Sequence, residues 1–129
     1  MTNYRSGLEE RLSKHLDKLN VPYLYEVQKY SYITESKYTP DFFLPSGVII
    51  EAKGFFKPSD RRKMLAVKTQ HPDLDIRFIF QRNNTLTKQS KTTYGAWAEK
   101  HGFPWCIFPN IPEDWLQWTT NTTAAYSLS

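Results

Sequence analysis

Between residues 41 and 53 the chain reads Asp-Phe-Phe-Leu-Pro-Ser-Gly-Val-Ile-Ile-Glu-Ala-Lys, two apolar runs joined by Pro45-Ser46-Gly47. Apolar runs this short, separated by turn residues, predict a β-hairpin, and Gly47 can adopt the positive φ that closes a three-residue loop. Such a loop sets Leu44 opposite Val48. Counting outward pairs Phe43 with Ile49, Phe42 with Ile50 and Asp41 with Glu51. Opposed residues carry Cβ atoms roughly 5 Å apart on one sheet face. Because strand side chains alternate, Lys53 falls on the face of Glu51. A slip of one residue would turn every side chain of one strand to the other face, so the pairing depends on the register.

Both faces of this hairpin are otherwise apolar, with Phe43 and Ile49 on one side and Phe42, Leu44, Val48 and Ile50 on the other. Two carboxylates facing each other in such a setting repel, and desolvation adds to the cost. Lys53 can neutralise Glu51 as a core ion pair, but Asp41 then stays uncompensated, and an unpaired buried charge is expensive. A divalent cation between the carboxylates resolves the conflict. Mg²⁺ suits the donors, since it favours one or two carboxylates completed by water and phosphate oxygens.

The rest of the chain supplies a small α/β frame. Ser6-Gly7-Leu8-Glu9 has capping-box spacing, and Leu8, Leu12, Leu16 and Leu19 recur on one face, predicting a helix that ends before Pro22. Strands are expected at Tyr23–Val27, Tyr38–Leu44, Val48–Lys53 and Leu74–Phe80, with helices from Ser59 or Asp60 to Gln70 and at Tyr94–Lys100. Residues 28–37 read as a polar connection and 103–116 as a short strand with loops. The order α-β-β-β-α-β-α-β predicts a mixed sheet flanked by helices. At 129 residues the chain fits one domain, placed at 1–116, with a Thr-, Asn- and Ser-rich tail at 117–129 that is expected to fray. No stretch approaches the roughly 18 apolar residues of a membrane span, and no signal peptide opens the chain. The single Cys106 excludes an intramolecular disulfide, so an intracellular, soluble protein is expected. His15, His71 and His101 with Cys106 lack zinc-ligand spacing. Trp97, Trp105, Trp115 and Trp118 could stack on bases, though core packing is the commoner role.

Charge is unevenly spread. Residues 53–91 hold ten Lys and Arg against three acids, within a chain of net charge +4. A basic block beside a site that holds cations suggests a polyanionic partner. Lys57, Arg61, Arg62, Lys63 and Lys68, on and before the second helix, are the candidates for phosphate contacts; the alternative is a solvated helix face. In the first helix, at about 100° per residue, Glu9 borders the leucine stripe while Glu10 lies opposite it. Capping and ligation are equally good readings of Glu9.

Pro40-Asp41, nine residues, then Glu51-Ala52-Lys53 matches the PD-(D/E)xK nuclease signature. Arg5-Ser6-Gly7-Leu8-Glu9, Tyr38-Thr39-Pro40-Asp41-Phe42, Glu51-Ala52-Lys53-Gly54, Gln70-His71-Pro72-Asp73-Leu74-Asp75-Ile76-Arg77 and Glu99-Lys100-His101-Gly102 widen the similarity. Running in order from about residue 4 to residue 116, the sequence resembles the phage endonuclease I family of Holliday-junction resolvases. The resemblance implies a PD-(D/E)xK core in an intertwined homodimer that binds four-way DNA junctions and cuts two strands symmetrically, leaving 5′-phosphate ends. It implies Glu9, Asp41, Glu51 and Lys53 as the catalytic set, with Glu9 contributed by the partner chain across a bridge within residues 28–37. Two Mg²⁺ ions, replaceable by Mn²⁺, are implied at Glu9, Asp41, Glu51 and the Ala52 carbonyl, with no nucleotide cofactor. A phage or prophage product working in the cytoplasm of its host follows. The short N-terminal extension and the lack of a basic run in the tail depart from the family pattern, and are expected to affect DNA affinity rather than chemistry. The competing readings are a related nicking or repair nuclease, and a non-catalytic dimer that binds branched DNA.

Overall fold

The computed structural model describes residues 3–31 and 37–117. Helix α1 spans Gly7–Lys18, with the Ser6 side chain accepting from the Glu9 N–H. It ends in a Schellman arrangement. Asn20 takes φ 57°, and the N–H groups of Asn20 and Val21 donate to the carbonyls of Asp17 and Leu16. Strand β1, Leu24–Tyr25, follows.

The expected strand at Tyr38–Leu44 is two pieces. Lys37–Tyr38 (β3) pairs with Tyr30–Ser31 (β2) in a separate two-stranded sheet, and Phe42–Phe43 (β4) enters the main sheet. Pro40 explains the break, because it has no N–H for a ladder and restricts Thr39 before it. The β2–β3 pair occupies part of what reads as a plain connection at 28–37; residues 32–36 lie outside the described residues, as does the tail from 118, including Trp118. Strand β5, Val48–Lys53, matches its expectation, and the hairpin has the predicted register, Phe42 with Ile50 and Phe43 with Ile49, closed by Gly47 at φ 92°.

Helix α2 begins at Pro58, just before the expected Ser59, where Pro suits a first turn and Asp60 accepts from the Lys57 N–H. It carries the chain to β6, Asp75–Phe80, which lies parallel to β5. Helix α3, Tyr94–Lys100, leads to β7, Trp105–Ile107, parallel to β6. A single-turn helix α4, Glu113–Leu116, is too short to show a period in the sequence. The main sheet runs β1-β4-β5-β6-β7, antiparallel on one side of β5 and parallel on the other. This is an α/β fold with a mixed, open sheet flanked by helices.

Two cores sandwich that sheet. Leu8, Leu12 and Leu16 of α1 pack with Phe42, Leu44, Val48 and Ile50 on one face, while Met64 and Val67 of α2 and Trp97 and Ala98 of α3 pack with Ile49, Phe78 and Phe80 on the other. Trp97 and Trp115 are buried in these cores and Trp105 packs against the second, so these three tryptophans serve packing. Among the described residues no helix is long and apolar enough to cross a membrane.

Candidate active site

The β4–β5 ladder stops at Phe42 and Ile50, and the next pair, Asp41 and Glu51, is joined through side chains. The Asp41 N–H donates to Glu51 Oε2 at 3.1 Å, and the Ala52 N–H donates to Asp41 Oδ2 at 2.9 Å. Each carboxylate thus closes the opposite backbone where the short strand has run out. The N–H and C=O of a strand residue point the same way, so the Ala52 carbonyl also faces the open edge beside Asp41. Both side chains are buried, Asp41 at 6% and Glu51 at 1% exposure.

Lys53 lies on the face of Glu51, with Nζ 3.7 Å from Glu51 Oε1 and 3.9 Å from Asp60 Oδ1 at the start of α2. Burial alone would lower its pKa, but Glu51, Asp41, Asp60 and Glu9 together outweigh this and raise it, so the ammonium is charged. For Asp41 the balance is adverse. Burial raises its pKa well above the usual carboxylate range, Glu51 and Glu9 add repulsion, and Lys53 offsets only part of it. Ionising Asp41 is therefore opposed in the fold, as expected from the sequence.

Helix α1 brings Glu9 to the same place, and it is as buried as Asp41, whereas Glu10 is exposed. Only half of a capping box forms: Glu9 Oε1 accepts instead from the Arg5 N–H at 2.9 Å and from the Tyr25 hydroxyl at 2.7 Å. Glu9 meets Asp41 within this single chain. The exchange of elements between subunits is not required for that contact in the structure described.

One acidic group carries no mark in the sequence. Glu26 follows β1 in a left-handed conformation, φ 53°, that turns it back towards Glu9 and Asp41. One oxygen from each of Glu9, Glu26 and Asp41 lies within 4.8 Å of the others. Glu26 Oε2 is buried without a hydrogen-bond donor; Arg5 Nε is 2.9 Å away but out of line for a bond. No alternation or spacing singles out Glu26, because its position depends on a backbone twist after β1. Among the described residues this is the only such cluster of possible metal ligands, and it consists wholly of hard oxygen donors, which fits Mg²⁺ or Mn²⁺ rather than zinc. Glu51 lies outside that group of three, adjoining it through Asp41.

Glu9 and Asp41 open into a cleft of about 500 Å³ whose lining also includes Ala52, Lys53, Arg5, Arg11 and Lys57. Of the candidate phosphate contacts, Lys57 is exposed at this cleft and Arg62 is exposed on α2. The others have internal partners. Arg61 donates to the Phe56 carbonyl at 2.8 Å, Lys63 sits over the Tyr38 ring, and Lys68 donates to the Gly102 carbonyl and covers Phe103. Arg5 and Arg11, both exposed beside the carboxylates, are not among the sequence candidates because they fall outside the basic block.

The whole chain, residues 1–129, matches the family described as phage endonuclease I. The chain belongs to that family. It is 42% identical over 118 residues to Endonuclease I of Escherichia phage T7, covering 88% of this chain and 78% of the relative. It is 45% identical over 103 residues to Endodeoxyribonuclease 1 of Enterobacteria phage T3, covering 77% of this chain and 68% of the relative. The matched residues include the hairpin and the helix that build the cleft.

Proposed function

We propose that this phage endonuclease I family member is an endodeoxyribonuclease that resolves four-way DNA junctions, working in the host cell as a homodimer. The observation that carries the reading is the gathering of Glu9, Asp41 and a charged Lys53 in one open cleft lined also by Arg5, Arg11 and Lys57, with Glu51 buried just behind Asp41 and Lys53. Relatives named as endonucleases support DNA cleavage, and the exposed Arg5, Arg11 and Lys57 of the cleft fit a phosphate backbone.

The donor set fits divalent cations. Asp41 stands between Glu9 on one side and Glu51 on the other, so it would be shared by two sites, with the Ala52 carbonyl completing the Glu51 side. When bound, Mg²⁺ or Mn²⁺ would polarise a scissile phosphate and lower the pKa of a bound water for in-line displacement, giving 5′-phosphate ends. Lys53 holds a positive charge where the phosphate gains negative charge, and orients water through its remaining N–H groups. Burial of Glu51 and Asp41 on a rigid strand pair fixes their geometry before DNA arrives.

The test compares cleavage of a four-way junction with linear duplex of the same sequence, with Mg²⁺ and with EDTA. Paired, metal-dependent cuts in the junction are expected. Equal cutting of the linear duplex would favour a general nicking nuclease, and binding without cutting in Mg²⁺ would sink the enzymatic reading.

A further inference from the structure

The carboxylates share a bonding pattern that catalysis by acids alone does not require. Each has one oxygen tied by neutral donors. Glu9 Oε1 takes the Tyr25 hydroxyl at 2.7 Å and the Arg5 N–H at 2.9 Å. Glu51 Oε2 takes the Tyr38 hydroxyl at 2.7 Å and the Asp41 N–H at 3.1 Å. Asp41 Oδ2 takes the Ala52 N–H at 2.9 Å.

We propose that Tyr25 and Tyr38 are positioning residues, whose hydroxyls pin one oxygen of Glu9 and of Glu51 and so fix the direction in which the other is presented to a divalent cation, an oxygen that in Glu51 also lies 3.7 Å from Lys53 Nζ. The inference rests on the metal-dependent reading of this site and names the residues that prepare it. Neutral donors suit the task. A second ammonium would compete with the cation for the carboxylate, and a water would leave it free to rotate. Donors behind a ligand carboxylate fix its orientation, and their loss typically lowers metal affinity roughly 10–100-fold.

Both rings are held firmly enough to act as fixed donors. Tyr25 packs edge-on to Tyr4 with centroids 4.6 Å apart and tilted to Phe42 at 5.3 Å, its β1 residue paired with Phe42 in the sheet. Tyr38 is fully buried, between the Tyr30 ring at 6.0 Å and Lys63 Nζ at 5.9 Å. The tyrosines come from β1 and β3, while the carboxylates they hold come from α1 and β5. The small β2–β3 sheet thereby acquires a purpose: it delivers Tyr38 to Glu51.

The experiment is calorimetric titration of the full chain with Mn²⁺, comparing wild type with Tyr25→Phe, Tyr38→Phe and Tyr23→Phe. Tyr23 is the control, since its hydroxyl bonds to that of Tyr4 at 2.9 Å and touches no site carboxylate. Tyr25→Phe and Tyr38→Phe are expected to weaken Mn²⁺ binding roughly 10-fold or more each, while Tyr23→Phe binds as wild type does. Junction cleavage by the two positioning variants should recover as Mn²⁺ is raised, shifting the metal requirement more than the maximal rate. Should Tyr38→Phe fail to fold, Tyr25→Phe at the half-buried edge carries the test alone. Wild type that binds and a Tyr25→Phe variant that binds equally well would overturn the inference by itself. Wild type that binds no Mn²⁺ would overturn the metal reading first and the inference with it.

Discussion

Replacing Asp41 by asparagine should make the metal-free protein more stable, although it removes a residue at the centre of the site. The amide keeps the size of the side chain, and its carbonyl can still accept from the Ala52 N–H that Asp41 Oδ2 holds at 2.9 Å. What disappears is a buried carboxyl whose ionisation Glu51 and Glu9 oppose and Lys53 favours only in part. An unpaired buried charge costs roughly 3–5 kcal/mol, and the partial compensation reduces the expected gain to about 1–3 kcal/mol. For a domain of this size that is a rise in Tm of roughly 3–5 °C per kcal/mol. The direction of the pH dependence follows from the raised pKa. The folded chain keeps the Asp41 proton to higher pH than the unfolded chain, so the cost is absent below the ordinary carboxylate range near about 4. It grows as pH rises towards the folded-state pKa and then stays constant. Thermal unfolding in EDTA should therefore show Asp41→Asn above wild type at neutral pH, the gap closing on acidification. Saturating Mg²⁺ or Mn²⁺ should invert the order, since a ligand at about 100 times its Kd adds about 2.7 kcal/mol to the state that binds it. An Asp41→Asn protein no more stable than wild type in EDTA at neutral pH would refute the claim that ionising Asp41 is opposed in the fold.

Lys53→Ala should abolish cleavage while leaving junction binding within a few-fold of wild type, because Lys53 is largely buried behind the carboxylates; gel-shift and cleavage assays on the same preparation separate the two, and near-normal cutting would remove Lys53 from the site. Lys57→Glu with Arg62→Glu should weaken DNA binding and flatten its salt dependence by about one unit of slope for each phosphate no longer neutralised. Arg61→Glu should instead lower Tm, since Arg61 is tied to the Phe56 carbonyl at 2.8 Å. A slope unchanged in the double variant would exclude both side chains from the DNA backbone.

The hairpin register could be read from the sequence because its determinants are local: a three-residue loop, a glycine, and strict alternation across two short strands. The opposition of Asp41 and Glu51 followed from counting. What counting missed is that the ladder ends one pair earlier, so the two acids cap each other's backbone instead of standing as a plain cross-strand pair. Glu9 could be assigned to the edge of a helix face but not to a neighbour, because helical phase says nothing about where the helix docks. Glu26, Tyr25 and Tyr38 were invisible for a related reason. Their roles depend on a left-handed residue and on a strand pair that form only with the tertiary fold. The basic block misled in detail: charge density pointed to a polyanion, but Arg61, Lys63 and Lys68 are engaged internally, and the cleft takes Arg5 and Arg11 from the other end of the chain.

Helix α1 and β1 form a unit that meets the rest of the fold through the leucine face of α1 in the first core, the Glu9–Asp41 contact and the β1–β4 pairing. The same unit docked on a second copy would make the same contacts, which is how element exchange builds a dimer at little cost. The proposed intertwined dimer and the single-chain arrangement thus predict identical sites with different ownership of Glu9. Mixing a Glu9→Ala chain with a Lys53→Ala chain distinguishes them. Without exchange every site carries one lesion and the mixture stays inactive. With exchange, each mixed dimer holds one site with both lesions and one with none, so equal mixing restores about one quarter of all sites. Each restored dimer has only one working site and should nick junctions rather than cut them in pairs. A mixture as inactive as its components, under conditions where the chains demonstrably exchange partners, would assign Glu9 to its own subunit and leave dimerisation without a part in completing the site.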